Sequence, residues 1–199
     1  MRPKLLLGTN NQAKVREYRS LLTDLDYELV TMAEQGISVA VEEVGESLEE
    51  NARLKAETIA GKSRLLTLAD DSGLEVDALG GEPGRLSARY AGENATDKEL
   101  ITYLLQRLDG VPREKRTARF RCVIALATPG GKVELCSGDC PGLITFEPSG
   151  EHGFGYDPIF YLPELDKTMA ELTLEQKNKI SHRGQAARKA AQVLRNMVS

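Results

Sequence analysis

Apolar runs and helical repeats alternate along the first part of the chain. Three consecutive leucines at residues 5–7 predict a buried strand, and the spacing of apolar residues over 12–22 predicts a helix after it. Residues 27–31 alternate between polar and apolar types, which indicates a second strand, and a stripe of small apolar residues predicts a helix over 48–62. A strand, a turn and a helix in this order are typical of an α/β protein.

The most informative stretch is an apolar run at residues 65–69 that ends in two adjacent carboxylates, Asp70 and Asp71, followed by Ser72 and Gly73. We expect an interior strand that ends at these carboxylates and delivers them to a cleft. Neighbouring carboxylates repel each other unless a cation or a proton lies between them, so the pair suggests a divalent metal, and oxygen ligands favour magnesium or manganese. A plain turn is the alternative, because Asp, Ser and Gly are common turn residues.

Capping boxes and alternation predict the remaining elements. A capping box places Ser or Thr before a helix and Glu or Gln three residues later. In chain order these patterns predict a helix from Thr96 to about residue 108, a long strand at 117–128, a glycine hairpin at 129–131 that leads into a strand at 132–140, a further strand at 142–146, and a helical segment from Thr173 to about residue 198.

The composition is that of a soluble protein, and its length fits one sizeable domain or a main body with a smaller lobe. The 199 residues carry a net charge of −4, and no apolar run approaches the roughly 18 residues that a membrane span needs. The N-terminus lacks the apolar core of a signal peptide, so we expect a cytoplasmic protein that has no membrane partner. The acidic surplus argues against general nucleic-acid binding, which needs Lys and Arg to neutralise phosphates.

The three cysteines are an odd number, which argues against a disulfide framework. Cys136 and Cys140 look like a pair, but four residues of extended strand span about 13 Å, too far for a disulfide or for joint metal binding. All three cysteines are therefore expected to be thiols that fill the core.

The turn after the first predicted strand carries groups suited to phosphate. Thr9 and Asn11 offer side-chain hydrogen bonds there, backbone N–H groups point out of the helix start, and Lys14 adds a positive charge one turn into the helix. A plain N-cap followed by a solvated lysine would show the same residues.

An acidic loop precedes the helix predicted at 48–62. Glu42 or Glu43 could reach a metal ion from the side opposite Asp70 and Asp71, and Lys55 falls near the inner stripe of the helix. A solvated acidic loop would look the same.

The glycine-rich loop at 153–158 suits the binding of a planar base. Phe154 or Tyr156 could stack on the ring while the small glycines let the backbone approach it, and Asp157 could accept hydrogen bonds from ring or ribose donors. The same aromatic side chains could instead cover a core.

Several basic residues are candidates for anion binding. Lys177, His182 and Arg183 bring two cations and a titratable donor close together near a helix start, which would suit phosphate or a base carbonyl. A solvated basic helix face is the alternative. Arg119 and Arg121 could likewise line an anion groove, although exposed strand faces often carry arginine.

The order of these motifs is more specific than any one of them. Together they resemble the inosine triphosphate pyrophosphatase family, and the likeness runs from residue 5 to about residue 194. The residues that carry it are Thr9, Asn11 and Lys14; Glu42 and Glu43; Glu50, Asn51, Ala52, Lys55 and Ala56; the stretch from Ala69 to Leu74; the loop from Phe154 to Pro158; and Ser181, His182 and Arg183.

The resemblance implies an α/β fold in which an elongated mixed sheet is flanked by helices and two lobes surround a central substrate cleft. Residues 1–199 would then form a single nucleoside triphosphate pyrophosphatase domain with two lobes, usually as a homodimer. The implied reaction, with Mg²⁺, converts ITP, dITP or XTP to the monophosphate and pyrophosphate. Its purpose would be to remove deaminated purines from the nucleotide pool.

The resemblance also implies site residues. Asp71 would be the catalytic proton acceptor and, together with Glu42, a metal ligand, while Asp70 would only hold a neighbouring lysine or a metal-bound water. The implied substrate-binding residues are Thr9, Asn10, Asn11, Gln12, Ala13 and Lys14 around the triphosphate, Lys55 beside them, and Ser72, Phe154, Gly155, Tyr156, Asp157, Lys177, His182 and Arg183, of which the last group lies on the base side. Asn10 stands where many family members have glycine, and asparagine tolerates left-handed backbone geometry well.

Donors such as His182 or Arg183 would favour a base with a 6-oxo group over adenine. GTP also carries that group, and nothing in the sequence shows how GTP would be rejected. Two rival functions share most of the motifs: a pyrophosphatase for standard or pyrimidine triphosphates, and a nucleotide-binding regulator without catalysis.

Overall fold

A computed structural model describes residues 2–198, and this part of the chain contains five α-helices and eight strands. The helices are α1 (Gln12–Leu21), α2 (Leu48–Ser63), α3 (Asp97–Arg107), α4 (Leu174–Ile180) and α5 (His182–Val198). The strands are β1 (Lys4–Leu7), β2 (Glu28–Thr31), β3 (Leu66–Val76), β4 (Pro83–Gly84), β5 (Thr117–Ala127), β6 (Val133–Ile144), β7 (Phe160–Leu162) and β8 (Lys167–Thr168). None of these helices is both long enough and apolar enough to cross a bilayer.

The strands form a mixed sheet in the order β2-β1-β3-β5-β6-β7-β8, and β4 pairs with β3 outside this path. β1 is parallel to both of its neighbours, with Leu5 opposite Leu29 on β2 and Leu66 on β3. The β3–β4, β6–β7 and β7–β8 pairs are antiparallel. The predicted α/β class with a mixed sheet and flanking helices is confirmed.

The described residues form two compact units. The first unit contains the chain up to Asp71, the segment Cys122–Gly138 and the chain from Arg183 onward. The second unit contains Ser72–Arg121 and Asp139–His182. β3, β5 and β6 each pass from one unit into the other along the chain.

The first unit is built around the strands of its half of the sheet. Leu5 and Leu7 of β1 are fully buried with Tyr18 of α1 and an alanine stripe of α5. The stripe repeats at the three- and four-residue spacing of one helix face, at Ala186, Ala187, Ala190, Ala191 and Leu194. Small side chains let α5 approach closely, and the Tyr27 hydroxyl donates to the carbonyl of Leu194 at 3.2 Å.

In the second unit, α3 packs against residues of β3 and β7. Leu100 and Leu104 of α3 are buried with Leu74 of β3 and Phe160 of β7. A buried arginine, Arg116, closes this core. Its guanidinium donates to three carbonyl oxygens, those of Leu108, Val111 and Thr145. These bonds hold the segment between α3 and β5, whose only regular element is the short 3₁₀ helix Arg113–Lys115.

The prediction that a strand ends at Asp70 and Asp71 is wrong, because β3 continues through both residues to Val76. The carboxylates lie in mid-strand, and apolar burial resumes immediately after them at Leu74 and Val76. Gly73 is not a turn residue. It lets the backbone of β4 approach β3 closely, since a Cβ atom at this position would overlap the carbonyl of Gly84.

Two further boundaries differ from the prediction. The separate strand expected at 142–146 is wrong, because β6 runs without a break from Val133 to Ile144. The C-terminal helical segment is divided at Ser181, whose extended backbone ends α4. The capping boxes at Thr96 and Thr173 are confirmed, each with reciprocal bonds between the cap residue and the residue three positions later.

All three cysteines are buried free thiols, as predicted. At about pH 8 a thiol reagent such as DTNB should therefore modify none of them in the folded protein and all three after unfolding. The thiolate is the reactive form, and burial raises the pKa of Cys122 to about 12 and that of Cys140 to about 11. The absorbance of released thionitrobenzoate measures the reaction. One rapidly reacting equivalent in the folded protein would contradict the burial.

Candidate active site

The turn between β1 and α1 is fixed by its own side chains. Asn11 is the N-cap of α1, and its Oδ1 accepts hydrogen bonds from the backbone N–H groups of Ala13 at 2.9 Å and Lys14 at 3.2 Å. The Thr9 hydroxyl accepts from the N–H of Asn11 at 3.1 Å. The cap expected as an alternative is therefore present, and it preorganises the start of the helix. Asn10 and Gln12 are exposed beside it.

Asp70 lies at the centre of a buried charge cluster in the first unit. Its Oδ2 is 2.9 Å from the Lys14 ammonium and 3.5 Å from the Arg183 guanidinium. Burial alone would raise the pKa of Asp70, but the nearby cations, above all Lys14 and Arg183, hold it well below its usual range. Asp70 is therefore permanently ionised near neutral pH and fixes the position of Lys14.

Arg183 has a second carboxylate partner on α1. Its Nη1 is 2.7 Å from Glu17 Oε2, and both side chains are almost completely buried. Although burial opposes the charge, Glu17 and Asp70 raise the pKa of Arg183 well above its ordinary value. The predicted base-side residue is thus part of an ion-pair network in this structure.

Asp71, the next residue on β3, contacts different partners. Its Oδ1 accepts from the Lys55 ammonium at 3.0 Å and its Oδ2 from the Asn51 amide at 3.2 Å. Burial raises the pKa of Asp71, and the Glu43 charge raises it further, whereas Lys55 opposes both. Successive side chains of a strand point to opposite faces, so the two adjacent carboxylates contact different cations.

The Lys55 ammonium links Asp71 to the acidic loop before α2. Its Nζ lies 2.9 Å from Glu43 Oε1. Burial would lower the pKa of Lys55, but the carboxylates of Asp71, Asp70 and Glu43 raise it above its ordinary value. The structure therefore brings Glu43 to Asp71 and Lys55, whereas the predicted metal ligand Glu42 is exposed.

The donor chemistry around Asp71 fits a magnesium ion. Asp71 and Glu43 supply hard oxygen donors that converge on one cationic group, Lys55. Within residues 2–198, no three or more His, Cys, Asp or Glu side chains surround one metal position. Magnesium usually takes only one or two carboxylates and completes its shell with water and substrate phosphates, so the smaller donor set is sufficient.

The buried side chains of Tyr156 and Asp157 hold the glycine-rich loop of the second unit in place. The Tyr156 ring is buried in the core and its hydroxyl donates to the Ser87 carbonyl at 2.9 Å, so the core-covering alternative is confirmed for this residue. The Phe154 N–H donates to Asp157 Oδ2 at 3.0 Å. Gly153 has φ of +80°, and a Cβ there would overlap the same carboxylate.

Two more contacts fix this loop. The Gly155 N–H donates to Asp97 at the start of α3, at 2.7 Å. Lys177 of α4 forms a buried ion pair with Asp157, and its ammonium lies 4.8 Å from the centre of the Phe154 ring. The buried Asp157–Lys177 ion pair therefore supports Phe154 and fixes its position in the loop.

The alternative of a solvated basic helix face is excluded for Lys177, His182 and Arg183. Lys177, His182 and Arg183 are 3%, 4% and 1% exposed. The His182 ring stacks on Phe120, with ring centres 4.7 Å apart and planes inclined by 16°. Ser72, a further predicted substrate contact, is half-buried on β3.

The arginines of β5 lie among carboxylates. Arg119 contacts Glu75 at 2.6 Å, and Arg121 contacts Glu75 and Asp139 at 3.4 and 3.1 Å. Acidic partners of this kind favour the surface-arginine alternative over an anion groove.

Sequence reasoning gave no role to three residues that the structure places in these clusters: Asn51, Glu17 and Asp97. Asn51 lies three positions after Leu48 and one before Ala52, on the buried stripe of α2. A polar residue in such a stripe indicates a buried hydrogen-bonding partner, and this pattern is visible in the sequence. Glu17 lies one turn after Lys14 on the buried side of α1. Asp97 is exposed at the start of α3 and carries no comparable signal.

The chain is similar to known proteins over nearly its whole length. The family model described as the Ham1 family matches residues 5–193. A relative from Bacillus subtilis (strain 168) named dITP/XTP pyrophosphatase is 47% identical over 189 residues, covering 95% of this chain and 96% of the relative. A relative of the same name from Desulforamulus reducens is 50% identical, covering 98% of this chain and 96% of the relative.

Solved structures agree with the sequence comparison. A HAM1 protein from Coxiella burnetii superimposes with a TM-score of 0.88 at 42% identity, covering 98% of this chain and 99% of that chain. The Ham1 protein of Staphylococcus aureus gives a TM-score of 0.87 at 43% identity with the same coverage. The resemblance indicated by the order of the motifs is confirmed.

The buried pair beneath Phe154 leads to a stability prediction. Lys177→Met should lower the free energy of unfolding by about 3–5 kcal/mol, because it leaves the Asp157 carboxylate buried without its ammonium partner. Denaturant titration followed by circular dichroism measures the change. Lys179→Met, on the same helix but in an exposed pair with Glu175, is the control and should leave the midpoint unchanged. Equal midpoints for both variants would contradict the prediction.

Proposed function

The chain belongs to the Ham1 family, and on this premise we propose that it is a nucleoside triphosphate pyrophosphatase that hydrolyses ITP, dITP and XTP to the monophosphate and pyrophosphate. Near-complete coverage of relatives named dITP/XTP pyrophosphatase is the observation that carries the proposal. The enzyme would remove deaminated purines from the nucleotide pool. Each part of this reaction can be assigned to side chains described above.

The triphosphate is assigned to the turn from Thr9 to Lys14 together with Lys55. A triphosphate carries close to four negative charges, and the start of α1 offers the positive end of the helix dipole, while its Ala13 and Lys14 N–H groups are bonded to Asn11. Lys14 is held by Asp70 rather than moving freely, so it can receive a phosphate with little loss of side-chain entropy. The lysines would stabilise charge that develops on the departing pyrophosphate.

The proton acceptor is assigned to Asp71. A general base works best when its pKa is closer to neutral pH than that of an ordinary carboxylate, and burial together with Glu43 shifts Asp71 in this direction. Asp70 is unsuited to the role because Lys14 and Arg183 stabilise its ionised form. The proton of the attacking water would therefore pass to Asp71, and Lys55 would hold the carboxylate in place.

Mg²⁺ is the proposed cofactor, with Asp71 and the acidic loop as its ligands. The second ligand would come from this loop: the resemblance implies Glu42, which is exposed, whereas Glu43 shares Lys55 with Asp71, so both carboxylates are retained as candidates. When bound, the ion would lower the pKa of a water molecule and offset the repulsion between carboxylates and phosphates. The residues of the chain would place the carboxylates and the phosphates around it.

The base is assigned to side chains of the second unit, with Ser72 as a further substrate contact. Phe154 is the stacking ring, and Gly155 lets the base approach the backbone, while Tyr156 and Asp157 anchor the loop. Lys177, whose ammonium lies 4.8 Å from the Phe154 ring centre, and His182 are the proposed donors to a 6-oxo group. The base-side role of Arg183 remains a prediction, since its guanidinium contacts Glu17 and Asp70.

The cytoplasmic location and the homodimer are also proposals. The location agrees with a reaction on free nucleotides. The dimer comes from the family resemblance alone, and sedimentation equilibrium of the purified protein would test it.

A substrate panel tests the proposed function. The protein should release pyrophosphate, not orthophosphate, from ITP, dITP and XTP in the presence of magnesium, and much less from ATP, GTP and dTTP. Removing the metal with EDTA should abolish turnover, and adding back excess Mg²⁺ should restore it. Ion chromatography of the products separates the two anions. Orthophosphate release, or equal rates on ATP and ITP, would indicate a rival function.

Asp71→Asn tests the base assignment. It should lower kcat by about 10²–10⁴-fold, because the amide cannot accept the proton, while the near-identical shape preserves the fold. Steady-state kinetics with ITP and a thermal melt measure the two effects. Asp24→Asn changes an exposed aspartate and should retain full activity. Turnover near the unsubstituted level in folded Asp71→Asn would refute the assignment.

A further inference from the structure

Asn51 is a fully buried amide whose two ends are both in use. Its side chain is 0% exposed on the first turns of α2. The Oδ1 accepts a hydrogen bond from the Gly45 N–H at 2.8 Å, and the Nδ2 donates to Asp71 Oδ2 at 3.2 Å. The oxygen must face the N–H and the amide nitrogen must face the carboxylate, so these partners fix which way the group points.

Lys55, one helical turn further along α2, makes an equivalent bridge. It binds the other Asp71 oxygen and also Glu43 of the acidic loop. Each oxygen of Asp71 is therefore held by one of two α2 residues, and both of these residues also hold the loop at 43–45. Lysine is a flexible point charge, whereas the planar amide imposes a direction on its partner.

The loop passes too close to α2 for a side chain at position 45. A Cβ on Gly45 would lie 2.7 Å from Asn51 Oδ1 and 2.8 Å from Glu50 Cβ. The next N–H, of Glu46, donates to Glu50 Oε2 at 2.6 Å, and Ser47 caps the helix. The acidic loop is thus seated on the start of α2, with the Asn51 amide between it and Asp71.

We propose that Asn51 is a positioning residue that orients the Asp71 carboxylate for the reaction and holds the acidic loop in register with it. The inference deepens the proposed function and rests on it. In a buried site no water replaces the lost donor, so the carboxylate would reorient. A displacement of about 1 Å at a reacting group can reduce the rate by about 10²-fold.

Two substitutions separate the two ends of the amide. Asn51→Asp keeps an acceptor for the Gly45 N–H but replaces the donor that faces Asp71 with a carboxylate oxygen. Gly45→Ala disturbs the loop contact and leaves the donor in place. Asn51→Ala removes both contacts with little added charge. Arg53→Ala, two residues further along α2 in an exposed pair with Glu57, is the matched control.

The measurements are kcat and KM with ITP, calorimetric binding of a non-hydrolysable ITP analogue, thermal melting, and hydrogen exchange of the Gly45 amide. For folded Asn51→Asp we expect a loss of about 100-fold in kcat, with KM and analogue binding changed by less than about threefold. Its Gly45 amide should stay protected, whereas that of Asn51→Ala should exchange faster. Asn51→Ala should also lose kcat, Gly45→Ala should lose less than Asn51→Asp, and Arg53→Ala should match the unsubstituted protein.

The result that overturns the inference is a folded Asn51→Asp or Asn51→Ala protein with kcat within about twofold of the unsubstituted enzyme. A loss that appears only in KM and analogue binding would overturn it as well, because it would indicate a substrate contact. If Asn51→Asp does not fold, Asn51→Ala decides by the same criteria. Failure of the proposed function is distinguishable, since the unsubstituted protein itself would then release no pyrophosphate from ITP.

Discussion

A buried strand cannot carry two adjacent carboxylates unless each has its own compensating partner, and the first unit is organised by this constraint. Successive side chains on β3 face opposite sides of the sheet, so the Asp70 and Asp71 carboxylates form their direct ion pairs with different cations. Asp70 forms ion pairs with Lys14 of α1 and Arg183 of α5, while Asp71 forms an ion pair with Lys55 of α2. Helices on both faces are therefore tied to the same two residues of the central strand.

The two aspartates illustrate how environment divides roles between identical groups. Both are almost fully buried, which by itself disfavours the charged form. The guanidinium and ammonium around Asp70 outweigh burial and hold its pKa low, so it remains an anion that orients Lys14. Around Asp71 the Glu43 charge adds to burial and leaves a carboxylate with a raised pKa, the property expected of a proton acceptor.

The second unit follows the same principle with different chemistry. Its glycine-rich loop is regular only where the short 3₁₀ helix Asp157–Ile159 begins, and buried groups hold the rest of the loop in place. Asp157 accepts from the Phe154 N–H and pairs with Lys177, and the Tyr156 ring fills the core. Tyr156 and Asp157, which the motif marks as substrate contacts, thus serve in this structure to hold the loop and its Phe154.

The sequence by itself determined the elements whose signals are local. Backbone hydrogen bonding and side-chain periodicity act over a few residues, so the sequence predicted the elements that depend on them. These are the leucine run of β1, the capped helices α1 and α3, and the stripe of small apolar residues on α2. The order of motifs likewise identified the family. Only the tertiary structure decided that β3 continues through Asp70 and Asp71. Aspartates next to serine and glycine favour a turn in water, and the cations that stabilise them in a buried strand come from distant segments. Glu17 and Arg183, which form one ion pair in this cluster, are 166 residues apart in sequence. No local pattern encodes such a contact, because its energy exists only once burial has removed the solvent from both groups.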